Sequence, residues 1–340
     1  MRVGVVYDEL FLRHDTGEHP ENSKRLLAVV RRLQRFGLWD ELVKLEPRSA
    51  TPEELMLVHS REHIRRIRQM AEAGGGMADA DTVISAASYE TAAGAAGALI
   101  SAVEAVIRGS VQSAFALVRP PGHHATRDSA MGFCLFNNLA IGAAHALEKL
   151  GLERVLILDW DVHRGNGTQS IFAAEPRVKY ITIHQSPLYP GLSGEETLFS
   201  AQNIEVPLPP GCGENEYLRA LEEIVVPAAR LFKPGLIMLS AGYDAHWAEA
   251  LAGMCLSISS YERMAQRVKA LAEELCGGRL VLGLEGGYNL SVLAGGVFAT
   301  LTALLGREPA EDALGPCPSA GTAPDISSLV AEIRARHSLS

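Results

Sequence analysis

The chain has 340 residues, 47% hydrophobic and 21% charged, ordinary proportions for a globular protein long enough to bury a sizeable core. Its 31 Lys and Arg against 40 Asp and Glu leave a formal net charge of −9, a field that repels phosphate backbones; nucleic acid is not an expected partner, and a basic one fits better. Five cysteines, Cys134, Cys212, Cys255, Cys276 and Cys317, are odd in number and lack CxxC spacing, which argues against a disulfide framework or cysteine-held zinc and for a reducing compartment.

In chain order, residues 3–7 read as a strand, too short for a signal-peptide core. A helix over 23–36 and a long one over 88–107 precede a strand at 114–118, a helix at 138–149 and strands at 155–158 and 180–183. Then come a helix at 215–231, a strand at 236–239, a helix at 259–275, a strand at 280–284 and a helix at 290–304. The only Pro/Gly-rich break is 307–325, and 326–337 reads as a terminal helix. Strands of nearly unbroken apolar residues belong to a mainly parallel central sheet with helices on both faces. The expectation is one α/β domain over residues 1–340, with 306–340 a loop and terminal helix packed on it. No stretch is read as approaching the roughly 20 apolar residues that span a bilayer, so no membrane is expected and the cytoplasm is the expected location.

The residues just past each strand are more informative. The strand at 114–118 runs into Arg119-Pro120-Pro121-Gly122-His123-His124, and that at 155–158 into Asp159-Trp160-Asp161-Val162-His163. The strand at 180–183 ends at His184, that at 236–239 at Ser240-Ala241-Gly242-Tyr243-Asp244, and that at 280–284 at Glu285-Gly286-Gly287-Tyr288. In open parallel sheets ligands bind at the edge where the strand C-termini lie, so these five endings should converge.

Asp161-x-His163 carries two metal-capable side chains at a period-two spacing. Alone, such a pair is more often a hydrogen-bonded loop; Asp244, leaving another strand by the same edge, adds a third donor. Two Asp oxygens and one His nitrogen leave coordination positions open, the pattern of a catalytic rather than a structural zinc, and would also accept Fe²⁺ or Mn²⁺. Adjacent His123 and His124 could be a simple polar turn. Asp159 and Asn166 could each accept a proton from one imidazole, and a charged acceptor raises basicity more than a neutral one. Hydrolysis of an amide at a metal needs water, a base, an acid and an electrophile on the carbonyl oxygen. Tyr288, behind two glycines that let the backbone turn, is the candidate electrophile, although a core or surface Tyr is the commoner case.

These residues resemble the zinc-dependent histone deacetylases and their bacterial relatives, the deacetylase-like amidohydrolases, acetylpolyamine amidohydrolases and acetoin-utilisation proteins. The motifs span most of the chain in the family's order. They begin with His14-Asp15-Thr16-Gly17-Glu18-His19-Pro20-Glu21 and Arg25, continue through the Arg119 to His124 run and Gly132-Phe133-Cys134-Leu135-Phe136-Asn137-Asn138, and pass to the Asp159 to His163 run and Gly165-Asn166-Gly167-Thr168. The Ser240 to His246 and Glu285 to Asn289 runs complete the set. The His19-Pro20-Glu21 segment and Asn166, where the other main branch has Asp, look most like the class II branch.

The resemblance implies an arginase/deacetylase-like fold and zinc held by Asp161, His163 and Asp244. It implies His124 as general base and acid, His123 as an electrostatic partner held by Asp159, Asn166 orienting His124, and Tyr288 donating to the substrate carbonyl. Gly132, Phe133 and Tyr189 would line a narrow tunnel for an aliphatic acylated amine. A potassium ion would be bound by Asp159, Asp161, Thr182 and backbone oxygens of Asp161, His163 and Ile183. The implied reaction is deacetylation of lysine side chains or similar primary amines; assembly into a homo-oligomer stays open.

Four departures stand out. Position 164 is Arg where the family usually has a second His, placing a permanent cation beside the expected potassium site. Tyr189 stands where many members have Phe, and Leu192-Ser193-Gly194 and Ser23 replace the family's usual Thr-Gly and Pro. Acetylpolyamines, which an acidic protein attracts, are an alternative substrate. A binuclear ureohydrolase would need further bridging carboxylates, and Asn166 stands three residues after His163. A catalytically silent acyl-lysine-binding module is the remaining alternative.

Overall fold

The computed structural model describes residues 2–191, 202–309, 311–318, 321 and 323–339; Leu192-Ser193-Gly194 lie outside them. The strands are β1 (Val3–Val6), β2 (Val43–Leu45), β3 (Gly75–Met77), β4 (Val83–Ser85), β5 (Ser113–Ala116), β6 (Val155–Asp159), β7 (Val178–Gln185), β8 (Asn203–Leu208), β9 (Leu236–Ala241) and β10 (Leu280–Leu284). Eight form one sheet in the order β2-β1-β5-β10-β9-β6-β7-β8, every neighbouring pair parallel. β3 and β4 form a separate antiparallel pair.

The central strands β5, β6, β9 and β10 are buried along their whole length, as their unbroken apolar runs require. Register aligns their ends: Asp159 lies level with Ser240 and Thr182, and Leu284 level with Ala241. The polar sequences at the ends of β5, β6, β9 and β10 therefore emerge side by side along one edge.

Several expectations need correction. The helix Ser88–Ile107 has the length and apolar composition to cross a membrane, contrary to the reading that no stretch approached it; most of it is buried inside the protein. Its Ala- and Gly-rich face packs on the helix Asn138–Glu148 and on β5. The helix expected over 215–231 is interrupted: a π-helical turn, Leu221–Val225, separates Glu214–Ala220 from Val226–Phe232. Pro227, lacking an N–H and crowding the preceding turn, accounts for the break.

β2, β8, the β3–β4 pair and the helix Arg61–Glu72 were not foreseen. β8 is an edge strand that buries Ile204, Val206 and Leu208 while Glu205 and Pro207 are partly exposed; only an edge position tolerates that proline. The terminal helix Ser327–Arg336 buries Val330 and Ile333, packing on the π turn and on β8.

Candidate active site

Asp161, His163 and Asp244 present donor atoms that all lie within 4.8 Å of one another. His163 Nδ1 is 3.0 Å from Asp161 Oδ1 and 3.3 Å from Asp244 Oδ2. Each carboxylate is oriented by backbone N–H groups from a neighbouring strand end: Gly286 N donates to Asp161 Oδ2 at 2.8 Å and Val162 N to Asp244 Oδ1 at 3.0 Å. Both Asp side chains are fully buried, and Asp244 Oδ2 makes no hydrogen bond of good geometry. Two buried carboxylates facing one imidazole, one oxygen left over, fit a divalent cation.

Gly286 has a role its turn alone does not suggest. A Cβ there would collide with Asp244 Oδ2 and lie 2.6 Å from Asp161 Oδ2; a Cβ at Gly242 would strike the Asp161 carboxylate too. Neither position tolerates a side chain while the carboxylates stay in place.

The neighbouring imidazoles have different acceptors. His123 Nδ1 faces Asp159 Oδ2 at 3.1 Å, and that oxygen also accepts from the Tyr180 hydroxyl at 2.8 Å. His124 Nδ1 faces Asn166 Oδ1 at 2.8 Å. Against burial, which favours a neutral ring, Asp161 and Asp159 raise the His123 pKa to about 10. Burial pulls His124 the opposite way, well below the usual imidazole value, and positive charge on His123 and His163 adds to it. Against burial again, the hydrogen bond to Asp161 and the nearby Asp244 carboxylate raise His163 to about 10.

Tyr288 packs edge-on against Phe133, ring centroids 5.6 Å apart, and the Arg25 guanidinium lies 5.0 Å from the Tyr288 ring centroid. Its backbone N–H donates to Glu249 Oε2 at 2.8 Å. Phe133 also meets His19 at 4.5 Å, whereas Tyr189 meets His124 at 5.1 Å and His163 at 6.3 Å. A Cβ on Gly132 would lie 2.5 Å from His124 and 3.0 Å from Tyr189, so the bare glycine lets Tyr189 approach the imidazole. Gly132 and Phe133 both have positive φ, 55° and 69°. A non-glycine residue in that region is strained and held by its surroundings; here the Phe133 N–H donates to Thr82 Oγ1 at 3.0 Å.

The β7 ending does not join the trio. His184 is buried with its Nδ1 3.2 Å from Thr182 Oγ1, and burial, then the Arg164 charge, lowers its pKa to about 3. β7 instead contributes Tyr180, which the sequence reading did not single out. Arg164 extends toward the Gly191 carbonyl at 3.3 Å and Glu205 at 3.9 Å.

The reading also assigned no role to a buried ionic layer behind the site. Glu21 accepts from Arg119 Nη2 at 2.8 Å and from Arg25 Nη1 at 3.2 Å, and Arg25 Nε donates to the Gly287 carbonyl at 2.8 Å. Burial would raise the Glu21 pKa; the Arg119 and Arg25 charges overcome that and hold it at about 2. Glu285 Oε2 accepts from the backbone N–H groups of Gly122 and His123 at 2.7 and 3.1 Å, and burial pushes its pKa up to about 7. Glu21, Arg25 and Glu285 lay within the family's motifs, but only their buried contacts distinguish such residues from surface charges.

The histone deacetylase domain model matches residues 19–304. The chain is 39% identical over 325 residues to a probable deacetylase of Archaeoglobus fulgidus, covering 91% of this chain and 89% of that protein. It is 39% identical over 317 residues to a histone deacetylase-like amidohydrolase of Pseudomonas aeruginosa, covering 85% and 82%. The crystal structure of an HDA15 HD domain superposes with a TM-score of 0.86 at 33% identity, over 99% of this chain and 95% of that one. Its parallel sheet with flanking helices is thus the arginase/deacetylase fold, and the chain belongs to the histone deacetylase family.

Proposed function

We propose that this chain is a zinc-dependent amidohydrolase removing acetyl or other short acyl groups from lysine side chains or similar primary amines. The observation that carries the reading is the buried Asp161, His163 and Asp244 trio standing beside two imidazoles with acceptors of different charge. Asp161, His163 and Asp244 would hold Zn²⁺, Fe²⁺ and Mn²⁺ suiting the same donors, and the bound ion would act as a Lewis acid toward water and the acyl carbonyl.

The protein groups supply the rest. His124, neutral because it is buried beside positive charge, takes the proton of the attacking water at Nε2 and returns it to the leaving amine. Its Nδ1–H is held by Asn166, leaving Nε2 as the basic atom. His123, charged against Asp159, stabilises negative charge that develops on the substrate. Tyr288 donates its hydroxyl proton in a hydrogen bond to the carbonyl oxygen, where charge accumulates as the carbon becomes tetrahedral. Gly132, Phe133 and Tyr189 wall the approach and admit an aliphatic chain. Asp159, Asp161 and Thr182, with backbone oxygens of Asp161, His163 and Ile183, are the proposed potassium ligands; Asp159 and Thr182 sit in register on adjacent strands. The reading takes residues 1–340 as one catalytic domain acting in the cytoplasm.

A second substrate, the acylated polyamines, is favoured by Asp79 and Asp81, whose negative charges act on Tyr189. The test is one kinetic panel on metal-replete protein: acetyl-lysine peptides, longer acyl-lysines, acetylputrescine and acetylspermidine. Turnover of the lysine substrates is expected. Turnover confined to the polyamines selects the second reading, and none at all leaves a binding module.

A further inference from the structure

Cys255 and Cys317 are separated by 62 positions, yet their sulfurs lie 3.3 Å apart with no disulfide between them. Both are partly exposed, whereas Cys134, Cys212 and Cys276 are buried. The approach is fixed by the backbone on each side. Cys255 lies in the segment that leaves β9 after Asp244, where its N–H donates to the Cys212 carbonyl at 2.8 Å and Trp247 N donates to the Leu256 carbonyl at 3.0 Å. The segment ending at Cys317 docks on that same segment and on the start of the helix Ile258–Cys276 that follows it through two separate bonds: Trp247 Nε1 donates to the Gly315 carbonyl at 3.0 Å, and Ser259 N to Asp312 Oδ2 at 3.1 Å. The sulfur pair is a third point of contact between two already anchored stretches.

We propose that Cys255 and Cys317 form a reversible redox pair that, oxidised by a low-molecular-weight disulfide, clamps residues 312–317 onto the segment that carries Asp244 and Glu249. One cysteine, as thiolate, attacks a sulfur of the small disulfide, forming a mixed disulfide and expelling one small thiolate. The second cysteine, losing its proton, attacks the protein sulfur of that mixed disulfide, closing the Cys255–Cys317 bond and expelling the other. Two electrons pass from the cysteine pair to the reagent, and the two thiol protons end on the two small thiols. Burial and the Cys317 contact raise the Cys255 pKa to about 11, so thiolate is scarce at neutral pH and closure is slow.

The clamp bears on the site through Glu249, which lies between Asp244 and Cys255 in sequence and accepts from the backbone N–H groups of Tyr288 and Asn289 at 2.8 and 3.0 Å. It also closes a long loop in the unfolded chain, which restricts that ensemble. The inference rests on the sulfur geometry and stands apart from the deacylation reading.

The test treats the full chain with oxidised glutathione and maps its peptides without reductant. Expected are a Cys255–Cys317 linked peptide, an intact mass lower by two hydrogens, a melting temperature raised by roughly 5 °C, and reversal by dithiothreitol. Cys317→Ser should abolish the link and the shift, and Cys276→Ser should keep both. A Cys212–Cys255 link, stable glutathione adducts without a protein disulfide, or an unchanged melting temperature in verified linked protein would each overturn the proposal.

Discussion

His123 and His124 are consecutive and buried, their rings tilted 46° to each other with centroids 4.0 Å apart, yet one faces a carboxylate and the other an amide. Asp159 reaches His123 from β6, itself held by the Tyr180 hydroxyl from β7, and these surroundings favour the imidazolium; Asn166 reaches His124 from the start of a short helix, Asn166–Ile171. Burial, and after it the charge on His123, favours the neutral form of His124. The difference teaches that burial and neighbouring charge give the two imidazoles of one dipeptide opposite tendencies, His123 toward the charged form beside Asp161 and Asp159 and His124 toward the neutral one.

The comparison has meaning only around an occupied metal site, so removing a ligand has the largest expected effect. Asp161→Ala, His163→Ala and Asp244→Ala should each abolish turnover and weaken metal binding by more than about 10²-fold, since losing a direct ligand costs more than losing its hydrogen-bond support. Metal analysis of the purified variants checks this; full zinc occupancy in Asp244→Ala would falsify the ligand assignment.

Next comes the division of labour itself. His124→Ala should lose roughly 10²–10⁴-fold in kcat, and His123→Ala less, with metal retained in both. Steady-state kinetics on matched metal-replete preparations decides it, and a larger loss at His123 exchanges the two roles.

Tyr288→Phe keeps the ring against Phe133 and Arg25 and removes only the hydroxyl. Expected is a drop of roughly 10²–10³-fold in kcat with a much smaller change in KM. The deficit should shrink on a trifluoroacetyl-lysine substrate, whose carbonyl is already activated; near-full activity on acetyl-lysine would make the phenol a bystander.

Asn166→Asp sharpens the comparison most directly, because it gives both imidazoles a charged acceptor. The new carboxylate favours protonated His124, so the neutral base is available only at higher pH. The acid limb of the kcat/KM profile should move to higher pH, with a greater loss at pH 6 than at pH 8. A profile identical to that of the parent chain shows that the Asn166 contact does not tune the base.

The smallest effect lies in the layer beneath the loop that carries the pair. His59 Nδ1 faces the Thr126 carbonyl at 2.8 Å, and Asn137 N donates to His59 Nε2 at 2.8 Å, an arrangement that needs a neutral ring. Burial lowers His14 to about 4, His59 to about 3 and His63 to about 4. Below about pH 6.5 the unfolded chain takes up these protons before the folded one does, so their stabilisation is complete above that value and is lost as pH falls toward 4. Each group contributes a slope of up to about 1.4 kcal/mol per pH unit across that window. Urea midpoints should fall from pH 7 to pH 5; equal midpoints would show that the rings take up protons as readily in the fold as in the unfolded chain.

Much of the site was legible because its residues travel in short runs at strand ends, where one apolar strand delivers several polar groups to the same edge. Asp161 and His163 share one such run, and Asp244 and Tyr288 come after the next two strands of the sheet. The supporting layer was not legible in the same way. Glu21 is 98 positions from Arg119, and Tyr180 is 21 from Asp159; no local periodicity signals either contact. β8 was missed because Glu205 and Pro207 break its apolar run, and the helix Arg61–Glu72 because four arginines mask a stripe that buries Ile64, Ile67 and Ala71.

By itself, the sequence determined the parallel sheet and the edge on which the chemistry lies, because unbroken apolar runs demand burial on both faces and the polar residues can come only at the strand ends. The tertiary structure alone decided which acceptor meets which imidazole, and why Gly242 and Gly286 carry no side chain. It also decided that the expected tunnel rings face different partners, Phe133 toward Tyr288 and Tyr189 toward His124. The physical reason is that hydrogen bonds, charge pairing and steric exclusion act over a few ångströms between segments far apart in the chain, a proximity that only strand order and register create.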